Sequence, residues 1–245
     1  MTKILILGGG GMVGQKLANH LLASGLPGHK ALDITLFDMA FPLKQDGRLR
    51  CITGSLTDAQ NITMLAQLRP DIVFHLASIV SGEAESNFDA GWQVNMFTMW
   101  HYLEALKALH IGSNGSYVPK IIFTSSIAVF GGPFPEQIDD TFLSAPQTSY
   151  GAQKASCELL LSDFSRKGFV DGISLRLPTI CVRPGKANLA ASSFFSGIIR
   201  EPLNGQKAIL PVDESVRHWH ASPRAAAGFL RHAATLDSGL LENRR

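Results

Sequence analysis

A tyrosine and a lysine four residues apart form the pair in this sequence best suited to acid–base chemistry. Tyr150 and Lys154 fall in a segment with helical character, where residues four apart lie on one face. A free phenol has a pKa of about 10, and a neighbouring ammonium stabilises its ionised form. The pair therefore predicts a tyrosine that takes a proton from a hydroxyl group.

Three hydroxyl residues, Thr124, Ser125 and Ser126, stand at the end of a predicted strand. A hydroxyl at a strand end can orient a substrate oxygen and stabilise the charge that develops on it. Strand-end hydroxyls also serve as ordinary turn or cap residues. Their combination with Tyr150 favours the functional interpretation.

A glycine-rich turn follows the first predicted strand and opens the first predicted helix. Gly8, Gly11 and Gly14 form a G-x-x-G-x-x-G pattern, with Met12 and Val13 inside it. Glycine permits tight turns and close approach of a pyrophosphate, and the helix N-terminus offers free N–H groups. In this strand–turn–helix context the pattern predicts a dinucleotide site.

Asp38 ends the second predicted strand, where a carboxylate can accept hydrogen bonds from the adenosine ribose hydroxyls. The same charge would repel a 2′-phosphate, and the next residues, Met39 and Ala40, offer no cation to hold one. NAD is therefore predicted as the cofactor in preference to NADP. A solvated Asp that caps a turn is the alternative.

Alternating strands and helices must position these groups. Such alternation predicts an α/β fold of the Rossmann type, a doubly wound parallel sheet that binds ligands beyond the carboxyl ends of its strands. The hydrophobic patterns predict strands at 3–7, 32–37, 50–53, 71–77, 120–124 and 172–177, and helices at 14–23, 59–68, 87–109, 150–166 and 224–236.

Composition limits the class of protein. Hydrophobic residues make up 45% and charged residues 17% of the 245, which is typical of a globular domain. A net charge of +2 gives no reason to expect nucleic acid or an acidic membrane surface as a partner. No stretch predicts a signal peptide or a membrane span, and the three cysteines and eight histidines show no zinc-ligand spacing. A cytoplasmic protein without a metal is expected.

Four motifs together resemble the extended short-chain dehydrogenase/reductase family, which includes the NAD-dependent epimerases and dehydratases. They are the glycine turn, His-Leu-Ala at 75–77, Ser-Ser-Ile-Ala-Val-Phe-Gly at 125–131 and Tyr-Gly-Ala-Gln-Lys at 150–154. Their order and spacing match the family over the chain up to about Arg217. The resemblance implies that Tyr150 is the acid/base, that Lys154 also holds the nicotinamide ribose, and that Ser126 positions the substrate oxygen.

The resemblance implies further cofactor contacts. Asn95 would support a water-linked proton path or a backbone contact near the cofactor, with a helix-surface Asn as the alternative. Ala77 and Ser78 would line the cofactor through their backbone, Pro178 would lie beside the nicotinamide, and Leu56 near the adenine. The serine before Leu56 stands where many relatives have an acidic residue, which makes the adenine match weaker.

Two stretches depart from the nucleotide-sugar members of the family. Pro178 and Thr179 occupy the place where those members commonly have an Asn, and residues 217–219 read Arg-His-Trp where Arg-Asp-aromatic is usual. Both stretches resemble the members that act on sugar acids. That resemblance implies oxidation of a four-carbon sugar acid next to its carboxylate, giving a 2-oxo acid.

An Arg is the natural partner of such a carboxylate, because it can form a bidentate pair. Arg183 and Arg217 are the candidates, each with a structural or surface role as the alternative. His218 and His220 are expected to be ordinary packed or exposed histidines.

Residues 1–177 are predicted to form the NAD-binding domain, and residues 178–245 a small, partial substrate lobe that is expected to be shortened relative to the family. The two long helices predict a homodimer through a four-helix interface. Two other functions stay open. One is an epimerase or dehydratase that retains NAD, and the other is an NAD-binding module without activity.

Overall fold

The computed structural model describes residues 1–139 and 141–241. Six parallel strands form its central sheet, with the strand order β3-β2-β1-β4-β5-β6. The order reverses beside β1, which is the mark of a doubly wound sheet. The predicted Rossmann-type α/β fold is therefore confirmed. The strands are β1 (Thr2–Leu7), β2 (Leu32–Asp38), β3 (Leu49–Thr53), β4 (Ile72–His75), β5 (Lys120–Ser126) and β6 (Asp171–Leu177).

Helices cover both faces of the sheet. Nine of the predicted strands and helices recur within two residues at each end, and β4, one of these nine, is shorter than predicted. None of the helices in the described ranges is long and apolar enough to cross a membrane. The helices are α1 (Met12–Ser24), α2 (Ala59–Gln67), α3 (Ser81–Ser86), α4 (Phe88–Trp92), α5 (Thr98–Gly112), α6 (Ser149–Arg166), α7 (Phe194–Leu203) and α8 (Pro223–Ala233).

Strand β1 shows how the core is built, because its alternate side chains point to opposite faces. Ile4 and Ile6 pack in one apolar layer with α1 and α8. Leu5 and Leu7 pack in the other with α2, α5 and α6. Since both faces are covered, the strand is apolar from Ile4 to Leu7 rather than alternating with polar residues.

The predicted helix at 87–109 is interrupted. A π-helical turn, Gln93–Phe97, joins α4 to α5. Such turns insert one residue into a helix and often lie at functional sites. This one carries Asn95.

The part of the chain after Pro178 forms a short two-stranded sheet and then a helix that packs against α1. A two-residue strand β7 (Thr179–Ile180) pairs with β8 (His220–Ala221), and α7 lies between them in the chain. Helix α8 then packs on α1, and the Arg231 Nε donates to the carbonyl of Gly25 at 2.7 Å. The domain division at residue 177 stays a prediction. It assigns α8 to the substrate lobe, and α8 packs in the same apolar layer as α1 and β1. Residues 242–245 of the predicted lobe lie outside the described residues.

Candidate active site

The glycine turn is shaped by contacts that leave no room for side chains. Gly8 has a positive φ of 86°, and a Cβ there would lie 2.7 Å from the amide nitrogen of Ala77. A Cβ on Gly14 would lie 2.3 Å from the Gly8 carbonyl oxygen, and one on Gly10 would lie 1.9 Å from that of Ala40. Gly10 was not singled out from the sequence, because its constraint comes from a loop thirty residues away.

The turn presents backbone donors to a ligand. Gly11 is the N-cap of α1, and no side chain caps the helix there. The N–H groups of the first turn, which includes Met12 and Val13, are thus available to an anion. The turn fits a pyrophosphate, as the sequence predicts.

Asp38 lies at the carboxyl end of β2, beside this turn. Its Oδ2 accepts a hydrogen bond from the backbone N–H of Gly10 at 2.9 Å, and its Oδ1 accepts one from that of Met39 at 2.7 Å. These bonds fix the orientation of the carboxylate. Leu56 is partly buried and packs against the core under α2 and α5.

Tyr150 and Lys154 lie on the first turns of α6, and Thr148 caps this helix by accepting from the Gly151 N–H at 3.1 Å. The Lys154 Nζ lies 5.4 Å from the centre of the Tyr150 ring and donates to the Thr124 carbonyl at 2.9 Å. Lys154 is 1% exposed and has no ion-pair partner among the described residues. A buried charge without a counter-ion is costly, which suits a group that pairs with a ligand.

A neutral histidine is buried near Lys154. His75 is buried at the end of β4, with its ring edge against Phe123 at 5.9 Å between centres. Burial, together with the positive charge of Lys154, lowers the pKa of His75 to about 3. The positive charge in this region therefore belongs to Lys154.

The two serines at the end of β5 have different environments. The Ser125 hydroxyl donates to the Glu158 Oε1 at 2.5 Å, inside the protein. Ser126 lines the same cleft as Tyr150, and its Oγ accepts from the Ala128 N–H at 3.1 Å. The geometry thus supports Ser126 as the residue that would meet a substrate oxygen.

An ion pair between Glu158 and Arg176 ties α6 to β6. The Arg176 Nη2 and Nε lie 2.7 and 3.0 Å from the Glu158 Oε2 and Oε1. Nη2 also donates to the Ser144 Oγ at 2.7 Å, and the guanidinium lies 4.8 Å from the centre of the Phe130 ring. This pair was missed in the sequence, although Glu158 stands four residues after Lys154 on the same helix face.

Asn95 is buried and contacts the backbone of the segment that follows β4. Its Oδ1 accepts from the Ile79 N–H at 2.8 Å, and its Nδ2 donates to the Gln153 Oε1 at 2.7 Å. It is therefore not a surface residue. Its hydrogen bonds to the Ile79 backbone fix the position of the segment that follows β4, which contains Ala77 and Ser78.

A cleft of about 1000 Å³ joins these elements. The glycine turn, Ser126 and Tyr150 line it together with the segment after β6. Asp38, Leu56 and Asn95 do not line it. In the described ranges no group of three or more His, Cys, Asp or Glu residues could hold a metal ion. The predicted residues that line the cleft are Met12, Val13, Ser126, Tyr150, Pro178, Arg183 and Arg217.

A Rossmann-type sheet, a dinucleotide turn and a Tyr, Lys and Ser set at one edge define the class of short-chain dehydrogenases and reductases. The model of the NAD dependent epimerase/dehydratase family matches residues 4–240. The chain belongs to this family, which confirms the resemblance drawn from the motifs.

Several relatives are closely similar. D-erythronate dehydrogenase of Haemophilus influenzae is 45% identical, over 96% of this chain and 73% of that protein. The enzyme of the same name from Cupriavidus necator is 46% identical, over 99% of this chain and 75% of that protein. A crystal structure from Agrobacterium tumefaciens, described as a nucleoside-diphosphate-sugar epimerase, is 51% identical with a TM-score of 0.91, and covers all of this chain and 72% of that one.

Proposed function

We propose that this protein is an NAD-dependent dehydrogenase that oxidises a hydroxyl of a small sugar acid, D-erythronate or a close relative, to the 2-oxo acid. The observation that carries the proposal is one cleft that is lined by Tyr150 and Ser126 together with Arg183 and Arg217. The high identity to two proteins named D-erythronate dehydrogenase supports the choice of substrate class.

The residues of the dinucleotide site fit NAD. Gly8, Gly11 and Gly14, with Met12 and Val13, would hold the pyrophosphate, because this turn excludes side chains and offers free N–H groups. Asp38 would accept from the adenosine ribose, and Leu56 would border the adenine. Ala77, Ser78 and Pro178 would line the nicotinamide half, which the buried Asn95 supports through Ile79. When bound, NAD supplies the hydride acceptor.

The chemistry at the substrate falls to three side chains. Tyr150 removes the proton from the substrate hydroxyl, and the carbon–hydrogen bond electrons leave as hydride. Lys154 stabilises the phenolate through its charge and holds the nicotinamide ribose. Ser126 donates a hydrogen bond to the substrate oxygen and keeps it near Tyr150.

The two arginines that line the cleft suit an anion. The Arg183 backbone is fixed on both sides, since its N–H donates to the Ser196 Oγ at 2.9 Å and its carbonyl accepts from the Arg200 Nη1 at 2.8 Å. Within the described ranges neither Arg183 nor Arg217 has an ion-pair partner. Two unpaired guanidinium groups can thus bind the carboxylate of a sugar acid.

Absorbance at the NADH band tests this function directly. We expect NADH to form from NAD and D-erythronate or another four- to six-carbon sugar acid, with far lower rates from NADP because of the Asp38 charge. UDP-sugars serve as the control substrates. Binding of NAD without turnover of any sugar acid would contradict the proposal and favour a binding module.

The second candidate is a nucleotide-sugar epimerase, which the description of the Agrobacterium structure favours. An epimerase would interconvert a UDP-sugar with no net formation of NADH, and would retain NAD through purification. The same assay separates the two candidates, because the dehydrogenase accumulates NADH and the epimerase does not.

We also propose that the chain forms a homodimer through α5 and α6. Trp100 on α5 and Leu159 on α6 are exposed apolar side chains, and Trp100 contacts Phe164 of α6 edge-on. Light scattering should give twice the 26.5 kDa mass of the chain. Leu159→Lys should shift the mass towards that of a monomer, whereas Leu43→Lys, in an exposed loop, should not. A monomeric wild type would contradict the dimer.

A further inference from the structure

One histidine that lines the cleft, His218, has its imidazole ring positioned by two contacts. The His218 Nε2 lies 2.7 Å from the Oγ1 of Thr179, and the imidazole stacks on the Phe195 ring at 4.5 Å with an interplanar angle of 19°. Thr179 and His218 both line the cleft that contains Tyr150. The ring is thus fixed by a hydrogen bond on one side and by an aromatic surface on one face.

The contact with Thr179 determines which nitrogen of the His218 imidazole is available to bind a ligand. With Nε2 occupied, Nδ1 is the remaining polar atom, and it has no hydrogen-bond partner among residues 1–139 and 141–241. When the Thr179 hydroxyl donates to Nε2, the ring proton stands on Nδ1, which makes Nδ1 a donor. Burial, together with the nearby His220, lowers the pKa of His218, so the ring is neutral at neutral pH.

The charge around this donor favours an anionic partner. Arg217 precedes His218 in the chain, lines the same cleft and has no ion-pair partner in the part of the chain that the structure describes. A carboxylate has two oxygens and accepts several hydrogen bonds at once. When the Arg217 guanidinium binds one oxygen, the oriented Nδ1–H of His218 can donate to the other.

We propose that His218, oriented by Thr179 and Phe195, donates from Nδ1 to the substrate carboxylate and so selects sugar acids over neutral polyols. This inference rests on the proposed function, since it concerns the substrate of that same site. It departs from the expectation that His218 is an ordinary packed or exposed histidine.

His220 provides a matched control. It contacts the same Phe195 ring, edge-on at 4.6 Å, but it does not line the cleft, and its Nδ1 faces the Cys181 Sγ at 3.7 Å. A Phe replacement at either position keeps an aromatic ring in place and removes both nitrogens. The two variants thus differ in whether the lost nitrogens face the cleft.

The test measures equilibrium binding of D-erythronate and of the neutral polyol erythritol to the protein–NADH complex, followed by NADH fluorescence. His218→Phe should weaken D-erythronate binding by about 10- to 100-fold, the effect of losing a hydrogen bond to a charged group. It should leave erythritol binding unchanged. His218→Asn, whose amide can replace Nδ1, should recover part of the loss, and His220→Phe should bind both ligands as wild type does.

Parallel measurement of NADH formation separates the two proposals. Turnover of D-erythronate by wild type, with equal effects of His218→Phe on the acid and the polyol, would overturn the role of His218 alone. Unchanged binding in a folded His218→Phe or a His218→Asn without recovery would do the same. A wild type that binds D-erythronate without turnover would overturn the proposed function, while the binding comparison still decides the role of His218. A wild type that binds no sugar acid would overturn both.

Discussion

Replacement of Tyr150 by Phe is expected to lower kcat for NADH formation by about 100- to 10,000-fold, the usual contribution of a positioned acid–base group. The phenol oxygen is the group that accepts the substrate proton, and Phe keeps the ring that lies over the Lys154 Nζ. NAD affinity should stay near that of wild type, because the glycine turn and Asp38 are untouched. Steady-state kinetics and NAD titration measure the two effects separately.

Tyr117→Phe is the matched control. The Tyr117 hydroxyl donates to the Pro70 carbonyl at 2.8 Å and does not line the cleft. Its loss should cost about 1 kcal/mol of unfolding free energy and leave kcat unchanged. Turnover by Tyr150→Phe at the wild-type rate would show that a different group takes the proton.

The part of the site that could be predicted is the part that is local in sequence. Tyr150 and Lys154 lie one helical turn apart, and the glycine turn is a continuous run of seven residues. In such cases the spacing itself places the groups, since strand and helix geometry are known. The alternation of apolar segments with helical patterns likewise predicts the doubly wound sheet, because strands covered on both faces contain short continuous apolar runs such as residues 4–7.

Contacts between residues far apart in the sequence could not be predicted from the sequence alone. The Thr179 side chain contacts that of His218 across 39 residues of sequence. The nearby strands β7 and β8 have two residues each, too short for a periodic pattern. The apolar face of α8 predicts a helix, but its packing on α1 follows from the route of the chain after β8. The π-helical turn that carries Asn95 is likewise invisible in a pattern of helical period.

Of the long-range contacts that the sequence does not reveal, the ion pair between Glu158 and Arg176 should have the largest effect on the stability of the fold. Their side chains are 3% and 15% exposed, and the pair joins the helix of Tyr150 and Lys154 to a strand of the sheet. Removal of one partner of a buried ion pair typically costs about 3–5 kcal/mol, because a charge stays behind in the interior. We therefore expect Arg176→Met and Glu158→Leu each to lower the free energy of unfolding in urea by about that amount.

The double variant separates a lost charge from lost packing. Glu158→Leu with Arg176→Met leaves neither charge, so it should be less destabilised than the sum of the single variants. The control pair is Asp163 and Arg166, on the same helix but 59% and 67% exposed, where Arg166→Met should cost less than about 1 kcal/mol. Additive losses in the double variant would mean that the two side chains contribute through packing, and that α6 is held on the sheet by its apolar contacts rather than by this pair.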